Sequence, residues 1–167
     1  CTPSVRPADG DGRDARQEAI GVSASSDVLI NEIMASNSTT NKDPQGHYDD
    51  WIELYNAGDS IVDTGGQYLT DDPDNPTKWR IPLGRRPETA IAPGGYLLIW
   101  LDGDAEDTGF HANFRLSSAG DRIALFDSDG KTLLDRVEFG DQLPDVSYGR
   151  DPDQIDRWQY LGVPTPG

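Results

Sequence analysis

Cysteine is almost absent from this chain: 167 residues contain one, Cys1. A lone thiol closes no internal disulfide, so stability must come from an ordinary apolar core. Histidine is nearly as scarce, with only His47 and His111. That scarcity disfavours zinc, which usually draws on several His or Cys ligands. No Gly-x-Ser-x-Gly segment is present to form a nucleophile elbow. Basic residues are few as well: 14 Lys and Arg stand against 30 Asp and Glu, for a net charge of -16. Such a surface repels phosphate backbones, because duplex binding depends on Lys and Arg displacing counterions. Nucleic acid is therefore not an expected partner, and neither is a bare anionic membrane surface. Basic protein patches and divalent cations suit the charge better. No apolar run approaches the roughly 18–20 residues that span a bilayer, and no long segment keeps a 3.6-residue apolar period.

What the chain does have is turn chemistry and short β-prone runs. With 18 Gly and 12 Pro, its punctuation favours an all-β architecture. The first 27 residues differ from the rest. "TPSVRPADGDGRDARQEAIGVSASS" is rich in Pro, Gly, Ser, Ala and charge, with little to bury, and reads as a tether. Cys1 ahead of it is either an expression remnant or the lipid-bearing cysteine of a mature bacterial lipoprotein. The second reading fits the missing Met, the absence of another Cys and the tether that follows. Residues 1–27 are thus expected to be a lipoprotein-like tether, and residues 28–167 a single domain.

Strands are predicted at "VLINEIM" (28–34), "DWIELYN" (50–56), "QYLTD" (67–71), "KWRIP" (78–82), "YLLIWLD" (96–102), "RIALFD" (122–127) and "LLDRVEF" (133–139). Two more fall at "VSYGR" and "RWQYL" in the tail. Asn-, Asp-, Gly- and Pro-rich turns separate them, and "ALFDSDGKTLL" reads as a hairpin. Short strands with regular turn signals make a sandwich. The ordered set "INEIMASN", "DWIELYN", "YLTDD", "PGGYLLIW", "HANFRLSSAGDRIALFDSDGKTLLD", "SYGR" and "PTPG" resembles the lamin tail domain as it occurs in bacteria, from Asp27 to Gly167. That resemblance implies an immunoglobulin-like β-sandwich used for binding and scaffolding rather than catalysis. It also suggests a structural role for His111.

The stretch "HYDDWIELYN" (47–56) gathers a histidine, three acids and three aromatics. Alternation along a strand puts Ile52 and Leu54 in the core, and Trp51, Glu53 and Tyr55 on the opposite face. Glu53 then becomes a solvated surface acid. Glu32 would lie beside it if the two strands pair, the arrangement a sugar hydrolase would need, but nothing else supports hydrolysis and no catalytic residue is assigned. Calcium is the stronger possibility, because oxygen ligands crowd two loops: Asp71, Asp72 and Asp74 in one, Asp102, Asp104 and Asp107 in the other. Neither these nor "FDSDG" (Asp127, Asp129) match the EF-hand spacing, and each can equally be an acidic turn that keeps edge strands soluble. Trp79, Trp100, Tyr96, Phe110 and Phe114 read mostly as core, while Trp158 and Tyr160 either close the sandwich or mark a contact surface.

Together these readings predict a non-enzymatic binding or scaffolding protein. It would be lipid-anchored through Cys1, extracytoplasmic, and a peripheral accessory subunit of a membrane complex with protein partners. The alternatives are a calcium-dependent adhesion or carbohydrate-binding module and, further off, a hydrolase using Glu32 and Glu53. Possible calcium is the only cofactor expected.

Overall fold

The computed structural model describes residues 27–86 and 88–167. Cys1 and the expected tether, apart from Asp27, lie outside the described residues. Eleven strands follow in order: β1 (Val28–Met34), β2 (Trp51–Asn56), β3 (Val62–Asp63), β4 (Tyr68–Thr70), β5 (Trp79–Arg80), β6 (Ala90–Ile91), β7 (Tyr96–Trp100), β8 (Asp121–Phe126), β9 (Leu133–Phe139), β10 (Ser147–Asp151) and β11 (Gln154–Leu161). They form a five-stranded sheet in the order β11-β10-β1-β2-β7, a four-stranded sheet β5-β4-β8-β9, and a small pair β3-β6. Every strand pairing is antiparallel. No helix occurs among the described residues.

The two larger sheets close on one core. Ile30, Ile33, Ile52, Leu54 and Ile99 from the five-stranded sheet meet Leu69, Ile123, Leu125, Val137 and Phe139 from the other. Ile52 and Leu54 point inward, as alternation requires, and both are fully buried. Burying such a side chain contributes roughly 1.5–3 kcal/mol, so the inner face holds the fold. β1 adds a correction to simple alternation. Its register with β2 shifts between Ile30 and Glu32, leaving Asn31 as the extra residue of a β-bulge. Ile30 and Ile33 can then both face the core, while Glu32 and Met34 turn to the outer face beside Glu53 and Trp51. The predicted hairpin also forms: β8 and β9 pair across a turn in which Asp129 accepts from Lys131 N and Thr132 N, each at 2.8 Å, and from Thr132 Oγ1.

At the edge of the five-stranded sheet, Arg150 ties β10 into the sandwich. Its Nη2 lies 2.7 Å from Asp135 Oδ2 on β9, its Nε donates to Ile30 O, and its guanidinium covers the Trp158 ring. Trp158 therefore packs as a half-buried residue stacked on Tyr148, whereas Tyr160 remains half exposed. Trp79, Trp100, Phe110 and Phe114 are buried as expected; Tyr96 is not, being 46% exposed.

Candidate functional site

The outer face of the five-stranded sheet carries two acidic centres of different character. Glu32 and Glu53 stand opposite each other across β1 and β2, yet neither is solvated: they are 1% and 0% exposed. This corrects the expectation of surface acids. The final residues of the chain cross over them and supply donors. Glu32 accepts from Ser147 Oγ and from Thr165 N and Oγ1, while Glu53 accepts from Asn31 Nδ2 at 2.8 Å and from Gly167 N. Burial pushes the Glu53 carboxyl above its ordinary value, partly offset by its two donors. A carboxylate pair already satisfied by its own chain has no free edge for acid–base work on a substrate.

The second centre lies where the β1–β2 loop meets the β7–β8 loop. Asp43 opens a closed turn, "DPQGH". Its Oδ1 accepts His47 N at 2.7 Å and its backbone N donates to His47 O at 2.9 Å. Gly46 sits at φ +94, a conformation that favours glycine. On the facing loop, Asp102 Oδ1 accepts Asp104 N at 3.0 Å, and Gly103 N and Ala112 N bond to Ala112 O and Trp100 O. That ladder fixes His111 over Trp100, with ring centroids 6.4 Å apart. Gln45 Nε2 to Thr108 O and Leu101 N to Asp50 O lock the two loops together.

Here His111 Nδ1 lies 2.6 Å from Asp102 Oδ2, with both side chains essentially buried. Asp43, Asp102, Asp107 and His111 each bring one ligand-type atom within 4.8 Å of the others. Two buried atoms of this group have no hydrogen-bond partner among the described residues: His111 Nε2 and Asp43 Oδ2. Asp43 also falls in a second group with His47 and Asp49. Acids accumulate around it. Burial raises the Asp49 carboxyl, helped by the charges of Asp102 and Asp43, and burial pushes Asp50 up to about 6.

The structure brings together only part of the sequence-predicted calcium set. Asp102 and Asp107 converge; Asp104 is exposed and serves the loop through its backbone. Asp71 pairs with Lys78, and Asp72 Oδ1 accepts Asp74 N at 3.0 Å, so Asp71, Asp72 and Asp74 shape a turn and join no cluster among the described residues. The essential additions are Asp43, absent from the sequence candidates, and His111, which the resemblance had assigned a structural role. The Asp-Pro-x-Gly-His turn after β1 was the available signal.

An all-β, immunoglobulin-like domain with acids buried on one outer face is the class these features define. The lamin tail domain family model matches residues 21–141, and the chain belongs to that non-catalytic family. A comparison with curated proteins finds no match. The family match ends before β10 and β11, although both strands complete the same sheet as β1 and β2.

Proposed function

We propose that this protein is a non-enzymatic binding and scaffolding domain. It is held at an extracytoplasmic membrane surface by lipid on Cys1 and acts as a peripheral accessory subunit of a membrane complex. One observation carries the non-catalytic part: Glu32 and Glu53, the pair best placed for hydrolysis, are buried under the chain's own Thr165 and Gly167. Support for a binding role comes from the family and from a groove of about 350 Å³ on the outer face beside that tail. Tyr55, Tyr96, Arg150, Ile155 and Leu161 line it, and aromatic and Arg side chains of this kind dominate contact energies in protein interfaces. The strongly acidic composition suits a basic partner surface.

Isolation of the tagged protein from its own membranes in mild detergent, with mass spectrometry of the N-terminal peptide, tests this reading. Acylated Cys1 and comigration with a larger assembly are expected. An unmodified monomer in the soluble fraction would contradict it. A second reading, cation-dependent adhesion, is favoured by the convergence of Asp102 and Asp107 with Asp43 and His111. Calorimetry with calcium tests it, and absence of heat removes calcium from the account.

A further inference from the structure

We infer that Asp43, Asp107 and His111 form a binding site for one divalent first-row transition-metal ion, with Asp102 as the positioning residue. The ground is two buried atoms that make no hydrogen bond among the described residues. A buried polar atom without a hydrogen bond is costly in a folded protein, and of the five such side-chain atoms among the described residues two, His111 Nε2 and Asp43 Oδ2, belong to residues of one cluster, Asp43 Oδ2 facing the exposed His47 ring with Nδ1 3.8 Å away. The side chains of His111 and Asp43 are each 0% exposed. Gly109 places the ring beside the turn: a Cβ built there would lie 3.2 Å from His111 Nε2 and 3.4 Å from Pro44 Cγ. The ring edge bearing the free nitrogen therefore faces the turn that begins at Asp43.

The Asp102–His111 pair completes the logic. A metal-binding histidine characteristically donates its other ring N–H to a carboxylate, which fixes the tautomer and strengthens the ligand. His111 Nδ1 lies 2.6 Å from Asp102 Oδ2, and a ring that donates there turns the lone pair of Nε2 to the ion. Asp107 is exposed, so its carboxylate supplies the third ligand from the solvent side and opens a path of entry. One imidazole with two carboxylates is a mixed nitrogen–oxygen set. Calcium asks for six to eight oxygens, whereas imidazole suits zinc and its neighbours. The site joins the β1–β2 loop to the β7–β8 loop, and its bound ion staples that end of the sandwich. It stands independently of the proposed membrane role.

The test uses the full chain, stripped with EDTA and reloaded with Zn2+ alone, followed by calorimetry, thermal melting and the visible spectrum of the Co2+ form. About one equivalent of Zn2+ binds and raises the melting temperature, while Ca2+ at the same concentration does neither. Asp43→Asn and His111→Gln weaken Zn2+ by more than about tenfold, and Asp102→Asn by about 10–100-fold. Asp107→Asn, at an exposed position that leaves the fold intact, also loses the Co2+ absorption. His47→Ala and Asp104→Asn keep wild-type affinity. The inference is overturned if the stripped protein takes up no Zn2+, if Ca2+ binds in its place, if Asp43→Asn and Asp107→Asn bind Zn2+ like the wild type, or if His47→Ala abolishes binding.

Discussion

Glu32 with Glu53, and Asp43 with Asp102, Asp107 and His111, are both acidic centres on one side of the same sheet, and they solve burial in opposite ways. At the first, the chain folds its own donors onto the oxygens: Ser147, Thr165, Asn31 and Gly167. At the second, the loops bring acids and a histidine together yet leave His111 Nε2 and Asp43 Oδ2 without a hydrogen bond among the described residues. Burial of charge alone therefore does not mark a functional site. What separates the two is whether hydrogen bonding is complete, and the ion proposed above belongs to the incomplete one.

Substitution of Glu32 is expected to have the largest effect on stability. Replacing Glu32 by Ala leaves the Ser147 hydroxyl and the Thr165 donors without an acceptor beneath the tail. A loss of about 2 kcal/mol is expected from urea unfolding, because the Ser147 hydroxyl is fully buried and a stranded buried donor costs roughly 1–3 kcal/mol, while Thr165 is exposed and can turn to water. Stability close to wild type would mean that the tail does not hold that acid in solution.

The pH dependence should come next in size. Asp50 has an ordinary value of 3.8 and is pushed up to about 6 in the folded protein by burial. Between those values the folded state keeps a proton that the unfolded state releases, so stability falls as pH rises through the window. The contribution is complete below pH 3.8 and gone above about 6. Glu53, raised by burial from 4.5, works in the same direction. Asp129 and Asp145, lowered by the backbone and side-chain donors that cap them, act in the opposite sense, losing stability as pH falls through their folded values. Asp50→Asn should remove a slope on the order of 1 kcal/mol between pH 4 and 6, read from denaturation midpoints across that range.

Asp43 gives a sharper contrast with Glu32. Without metal, Asp43→Asn should change stability by less than about 1 kcal/mol, or raise it, since it discharges a buried oxygen that has no donor. The smallest effect belongs to Asp104→Asn. Its side chain is exposed and its loop contacts run through the backbone, so a change within about 0.5 kcal/mol is expected in the same assay.

Much of the scaffold was legible because its strands obey period two. "VLINEIM" and "LLDRVEF" coincide with β1 and β9, and the inward placement of Ile52 and Leu54 followed from alternation alone. β3 and β6 were not read, since two residues are too few for any period to show. The bulge at Asn31 was hidden for a related reason: an extra residue changes the face of Glu32 and Met34 without altering the composition around it. Glu53 reads as a solvated acid in the sequence because the segment that covers it, ending in Gly167, carries no pattern of burial. Acidic loops could be listed from the sequence, but their convergence could not. Asp43 and Asp102 meet through loop contacts such as Gln45 to Thr108, and nothing local announces them. The stretch from His47 to Asn56 divides along this line: His47 and Asp49 lie beside the candidate metal site, while Ile52 and Leu54 serve the core.

Thermal melting of the EDTA-stripped chain against its Zn2+-reloaded form, run in parallel with Glu32→Gln and Asp107→Asn, tests the central distinction most directly. A site bound at one hundred times its dissociation constant gains about 2.7 kcal/mol. A Zn2+-dependent rise in melting temperature is expected for the wild type and for Glu32→Gln, and none for Asp107→Asn. Equal rises in all three proteins, or none in any, would contradict it.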